Sequence, residues 1–237
     1  MAVLVIEQPN YLPWIGYFDL LDQADIWVWL DDVQYTRRDW RSRNRVAGAT
    51  GEPRWLTIPV RSKGRRDQLI CEAEIDHEQS WIRKHLDTVR HCYHEAPFFD
   101  VVYSLLESRL ETRPRLLSDL TIPLCEDIAK LLQLSQRTHR SSELTGVDGK
   151  KQERLLQIHS QVGGETYLSG PAAEDYIDPE GFLRAGIDLR YIEYNYSGYP
   201  RGSGVAQSAL SIVDPLMWLG PEATRNLWRS TAASRRS

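Results

Sequence analysis

AVLVIEQPNYLPWIGYFDLLDQADIWVWLDD, residues 2 to 32, is the stretch that decides the fold. AVLVIEQ (2 to 8) is a short apolar, β-branched run that reads as a buried strand. Pro9, Asn10 and Pro13 then form a turn that excludes helix. From Ile15 onward, Phe18, Leu21 and Ala24 recur at near-helical spacing, so a short helix is expected. IWVWL (26 to 30) is a second apolar strand, ending in Asp31 and Asp32. Strand, loop, helix and strand in that order open a parallel α/β sheet. Such sheets bind ligands beyond the carboxyl ends of their strands, and both QPNYLPW and DDVQY lie at that edge.

Outward from this unit, WLTIPV (55 to 60) reads as a third strand, followed by the polar loop RSKGRR. From Ser80 the spacing of Trp81, Leu86, Val89 and Tyr93 predicts a helix. A second starts after Pro97 and runs to about Leu110. A third opens near Pro114 and reaches Leu134, with a break expected at Pro123. A further α/β unit follows: THRSSEL, the turn 146 to 149, the helix KKQERLLQIHSQVGG and the strand ETYLSG. DLRYIEY (188 to 194) is a late strand and SIVDPLMWLG a short terminal helix. The expected fold is α/β: a mostly parallel, Rossmann-like sheet with flanking helices and a central helical insertion at about 79 to 135. One domain is expected over 1 to 230, with a flexible tail at 231 to 237.

A chain of 237 residues can bury roughly 70% of its unfolded surface, enough for a proper core. Hydrophobic residues at 41% and charged residues at 26% exclude a disordered or fibrous protein. The net charge of −4 excludes a surface built throughout for nucleic acid, so no DNA partner is expected, although a local basic stripe remains open. Three widely spaced cysteines without a CxxC pair indicate neither a disulfide scaffold nor a zinc module. No apolar run is long enough for a membrane span, and the N-terminal residues lack the basic region of a signal peptide. A cytoplasmic protein with no membrane insertion is the expectation.

Three clusters carry candidate chemistry. In the first, Gln8, Asn10, Tyr11, Trp14 and Tyr17 surround a strand-to-helix loop with amide donors and stacking surfaces; packing of the loop is the competing role for its aromatic residues. Trp14-Ile15-Gly16-Tyr17 stands where adenylate-forming nucleotidylyltransferases carry H-x-G-H, without either histidine. In the second, Asp32 with Asp31 suits a base or Mg²⁺. Gln34, Arg37, Trp40, Arg41 and Asn44 then supply donors and a stacking ring for a phosphorylated small molecule such as a nucleotide-sugar. A solvated loop is the alternative for the outer arginines. In the third, Ser169 and Gly170 precede Pro171 at an expected helix start, either an anion-holding turn or a plain capped turn. Lys84 and His85 open the central helical block, and His85 is the candidate acid or base. No metal site is expected, since His91 and His94 lack a matching carboxylate.

In order and spacing these motifs resemble the WbqC-like family. The likeness is carried by QPNYLPWIGYFDLLDQAD, LDDVQYTRRDWRSRNR, WLTIPV, the W-x-x-K-H at 81 to 85, YHEAPFF, GKKQERLL and YLSGPAAEDY, and it runs from Val5 to about Trp218. The resemblance implies work in bacterial O-antigen, related surface-sugar or natural-product biosynthesis, as a glycine (aminoacyl) or acyl transferase acting on an amino sugar or related amine. The acyl donor would then be an aminoacyl-tRNA, a carrier-protein thioester or a free amino acid with ATP. His85 or Asp32 would take the proton from the acceptor amine. The alternatives are an amide ligase using a nucleotide with Mg²⁺, and a non-catalytic sugar-nucleotide-binding partner.

Overall fold

The computed structural model describes residues 2–48, 51–202, 204–206 and 210–234. Along the chain come β1 (Val3–Glu7), α1 (Ile15–Asp22), β2 (Ile26–Trp29), β3 (Arg43–Ala47), β4 (Pro53–Thr57), α2 (Trp81–Tyr93), α3 (Phe99–Leu110) and α4 (Ser118–Leu131). They are followed by β5 (Arg137–Arg140), α5 (Gln152–Val162), β6 (Thr166–Ser169), α6 (Pro179–Arg184), β7 (Asp188–Tyr191), β8 (Tyr199–Arg201), β9 (Gly204–Ala206) and α7 (Val213–Ser234). Five of the strands form one sheet in the order β5-β2-β1-β6-β7, and every pairing in it is parallel. The protein therefore has an α/β, Rossmann-like fold. The chain builds from β1 outward to β2 and β5, then returns to the other side for β6 and β7. Its switch point lies between β1 and β6, which is where open sheets of this kind leave a crevice.

Strand alternation divides the core between the two faces of the sheet. Val5, Trp27 and Trp29 point to one face, against Phe18 and Leu21 of α1, Val89 and Tyr93 of α2, Leu106 of α3, Ile128 of α4 and Leu216 of α7. Leu4, Ile6, Ile26 and Val28 point to the other, against Leu155 and Ile158 of α5 and Phe182 of α6. The central helical insertion thus joins the main core. Each fully buried Leu, Ile or Phe in it contributes roughly 1.5–3 kcal/mol. Helix α4 continues through Pro123, where the sequence predicts a break. Leu120, Ile122, Leu124 and Cys125 around it are all buried, and that packing offsets the missing N–H.

The third strand expected from WLTIPV exists as β4, but it pairs antiparallel with β3 in a two-stranded ribbon outside the sheet. Its burial pattern fits this: Leu56 alone is buried while Pro53, Arg54, Trp55 and Thr57 are exposed, so the strand is too open to sit within a parallel sheet covered on both faces. The terminal helix extends past the expected end at 220. It kinks at Gly220, whose φ of 76° and close approach to the Phe98 ring leave no room for a side chain. Of the expected tail, residues 231–234 continue α7, and 235–237 lie outside the described residues. No helix among the described residues is long and apolar enough to cross a membrane.

Candidate functional site

The carboxyl end of β1 delivers Glu7 and Gln8 to the switch point, and the end of β6 delivers Ser169 and Gly170 on its other side. Glu7 is half-buried as a residue, and its carboxyl lies deep among its neighbours at the switch-point end of β1. Burial pushes its pKa up to about 7, against the opposing pull of the Gln8 backbone N–H and the Arg41 charge. Four tyrosines stand within electrostatic reach of it. Burial first, with the Glu7 charge adding to it, holds the phenols of Tyr17, Tyr167, Tyr176 and Tyr194 protonated.

The loop after β1 is fixed by its own neighbours. The Tyr17 hydroxyl donates to the Gln8 carbonyl at 2.9 Å, and the Tyr11 N–H donates to the Trp40 carbonyl at 2.9 Å. Asn44 Nδ2 donates to the carbonyls of Leu12 at 2.8 Å and Tyr11 at 3.2 Å, so this buried amide is spent on holding the loop. Arg41 Nε donates to Gln8 Oε1 at 2.7 Å, and Arg41 Nη1 pairs with Asp39. Asn10 Oδ1 is buried with no hydrogen-bond partner. A buried acceptor left open in this way invites a ligand donor. The Trp14 ring meets Tyr194 at 4.9 Å and Tyr196 at 5.7 Å, both edge-on, giving the crevice an aromatic side. Ser169 is buried near the Tyr167 hydroxyl, and the expected helix after Gly170 is a short 3-10 turn, Pro171–Asp175.

Asp31 and Asp32 form a separate cluster at the end of β2. Asp31 Oδ1 accepts from Ser142 N at 3.0 Å and lies 3.3 Å from Ser141 Oγ, and its Oδ2 accepts from Ser142 Oγ at 2.9 Å. Asp32 accepts from Ser141 Oγ through one oxygen and pairs with Arg154 through the other. Each of the four carboxylate oxygens already holds a protein donor, and a guanidinium sits beside the pair. This arrangement does not fit a resident Mg²⁺. Among the described residues, no group of three or more His, Cys, Asp or Glu side chains is placed to hold a metal.

His85 is 5% exposed. Its Nε2 faces the Thr57 carbonyl at 3.1 Å, an acceptor, so Nε2 carries the proton and Nδ1 accepts from the Tyr11 hydroxyl at 3.0 Å. Burial lowers its pKa to about 4. Lys84 beside it is exposed. Gln34 Nε2 donates to the Arg66 carbonyl at 3.1 Å, and exposed Arg37 reaches Ser62 Oγ at 3.5 Å, both on the loop side of the ribbon. Trp40 is exposed and stacks on Trp55. The structure therefore brings Gln8, Asn10, Trp14, Tyr17, Arg41, Ser169 and Gly170 to the switch-point edge. Tyr11, Asn44 and His85 are gathered behind the loop as its support. Sequence reasoning passes over Glu7, Tyr194 and Arg154. A lone carboxylate closing the first apolar strand is the available signal for Glu7; the other two become neighbours only through the tertiary fold.

The uncharacterised protein Rv1507c of Mycobacterium tuberculosis (strain ATCC 25618 / H37Rv) is 37% identical over 225 residues, which cover 94% of this chain and 96% of that protein. No solved structure matches the chain. The sequence pattern of the WbqC-like protein family matches residues 8–226, from the loop beside Glu7 into the second half of α7, and the chain belongs to that family.

Proposed function

We propose that the protein is an N-acyl or aminoacyl transferase that joins an activated acyl group, with glycyl the smallest aminoacyl case, to an amine such as that of an amino sugar. The observation that carries this reading is the Glu7 carboxyl at the switch point, with its pKa raised to about 7. A carboxylate tuned near neutrality is a base matched to removing a proton from an attacking amine. In this reading Glu7 is the catalytic base. Asn10 Oδ1 accepts a hydrogen bond from the acceptor's amine or hydroxyl, and Trp14 with Tyr194 walls its ring. Gln8 and Arg41 set the charge beside Glu7. His85 and Asp32 act as positioning residues: His85 holds Tyr11, and Asp32 holds Arg154 at the neighbouring strand end.

The test is an incubation of the purified protein with amino-sugar nucleotides and a set of activated donors, followed by mass spectrometry of the acceptor. The expected result is a mass gain of one acyl residue with the wild type and none with Glu7→Gln. Product formation that requires ATP and releases AMP or ADP would overturn the transferase in favour of a ligase. Acceptor binding without turnover across all donors would overturn it in favour of a binding protein.

A further inference from the structure

The outer face of the β3–β4 ribbon carries side chains that the crevice chemistry leaves unused. Along β3, Asn44 and Val46 turn into the core while Arg43 and Arg45 turn outward, opposite Thr57 and Trp55. Trp40 is 43% exposed and Trp55 47%. Their indoles stack at 27° with centroids 5.9 Å apart. The Arg43 guanidinium lies 4.3 Å from the Trp55 ring centre, and that of Arg45 lies 5.5 Å from Trp55 and 5.7 Å from Trp40. Arg37 and Arg38, on the loop leading to Trp40, are exposed as well. Two half-exposed indoles, stacked on each other and with guanidinium planes over their faces, make a positive stacking surface on a chain whose net charge is −4.

Small nucleotides are held in concave sites that cover most of their surface. A surface row of aromatic and guanidinium planes instead suits successive bases of a single strand, which stack on both kinds of plane while the phosphates run past the cations. The platform also adjoins the crevice. The Trp40 carbonyl receives the Tyr11 N–H, and Arg41, next in the chain, donates to Gln8 at 2.7 Å. We propose that the ribbon seats the single-stranded 3′ end of an RNA that carries the acyl group as an ester on its terminal ribose. This rests on the acyl-transfer reading and names its donor. The acceptor nitrogen attacks the ester carbonyl, a C–N bond forms and the ester C–O bond breaks. The proton shed by the amine passes to the Glu7 carboxylate and from there to the departing ribose oxygen, so no oxidant, reductant or further reactant is needed.

The probe is a labelled RNA hairpin with a short single-stranded 3′ tail, compared by fluorescence anisotropy with the same hairpin made blunt. The tailed hairpin is expected to bind more tightly. Replacing Trp40→Ala and Trp55→Ala together weakens it by about tenfold or more, and Trp40→Phe with Trp55→Phe restores much of the loss. Arg43→Ala lowers the salt dependence of binding. Both indoles are exposed, and circular dichroism melting checks that the variants remain folded. Equal affinity for tailed and blunt hairpins, or affinity indifferent to the tryptophan pair, overturns the proposal. So does binding of a nucleotide-sugar at the tryptophans with none of tailed RNA. Binding is read without turnover, so its failure leaves the acyl-transfer reading standing. Full activity of Glu7→Gln would sink that reading and leave the platform intact.

Discussion

Tyr11 and His85 lie with their rings 29° from parallel and are joined by a hydrogen bond of 3.0 Å from the phenol to Nδ1. The bond ties the loop after β1 to α2, and the opposite ring nitrogen ties α2 to the end of β4 through the Thr57 carbonyl. One neutral imidazole thus holds the loop, the ribbon and the helical insertion together.

The imidazole also sets an acid limit on stability. Its pKa falls from 6.5 to about 4 on folding, because burial disfavours the charged ring. Between those values the unfolded chain binds a proton that the folded chain does not, so stability declines as pH drops through this window, by about 3 kcal/mol in all. His85→Gln should flatten this part of the profile. At pH 7 it should destabilise by about 1–3 kcal/mol, because the Tyr11 hydroxyl and Thr57 carbonyl lose a well-placed partner. Urea midpoints from pH 4 to 7 for both proteins check this; groups common to the two cancel in the difference.

Glu7 works in the opposite direction. Its carboxyl titrates at about 7 when folded and near 4.5 when unfolded. The folded chain therefore retains a proton that the unfolded chain has lost, and stability falls as pH rises from about 4.5 to about 7. Glu7→Gln removes that penalty. The variant should be more stable than wild type at pH 8 by about 2 kcal/mol, allowing for screening at its partly open position, and equally stable near pH 4. Gain of stability with loss of transfer is the signature of a group kept for chemistry. Thermal melts at the two pH values check it. In the wild type, the transfer rate should rise with pH through about 7.

A buried carboxylate holds the other end of the ribbon. Asp214 has no exposed surface and accepts from the hydroxyls of Tyr93 and Tyr199, each at 2.7 Å, and from Arg201 Nε at 3.0 Å. Arg201 Nη2 reaches on to the carbonyls of Ala47 at 3.1 Å and Gly48 at 2.9 Å. Asp214→Asn leaves the guanidinium without its counter-charge in a nearly closed site. A loss of about 3–5 kcal/mol is expected by chemical denaturation. Tyr199→Phe, which removes one hydrogen bond and no charge, should cost about 1 kcal/mol.

How much of this is legible in the sequence follows from where the information sits. β1 and β2 are readable because a central parallel strand is apolar on both faces, and VLVIE and IWVW have few other ways to be satisfied. β3 is not: in RNRVA only Val46 and Ala47 are apolar, so the arginines on the open face drown the alternation. The edge on which Gln8, Asn10 and Gly170 meet is readable from strand order alone. The part played by Asp32 is not, because Arg154 and Ser141 reach it from far along the chain. Nor is the behaviour of Glu7, since a raised pKa is made by the burial that only the folded neighbours supply. His85 looks like a base by residue type, and its two protein partners come from elements distant in sequence.

Asn10 separates binding from folding most cleanly. Its Oδ1 is buried with no partner, so the folded chain already carries the desolvation of that oxygen without a compensating bond. Removing the amide should therefore cost the free protein little: Asn10→Ala is expected to lie within about 1 kcal/mol of wild type in urea, less than a satisfied buried amide would forfeit. If the oxygen accepts a bond from the acceptor substrate, the same change should weaken acceptor binding by about 1–3 kcal/mol, roughly a factor of 10 to 100 in affinity. Asn44→Ala is the contrasting case. That side chain donates to two carbonyls of the loop, and its loss should lower stability and affinity together. Paired denaturation and calorimetric titration of the two variants distinguish the roles. An Asn10→Ala protein as destabilised as Asn44→Ala would mean that Oδ1 serves the fold, and the crevice would have to be sought elsewhere along the edge.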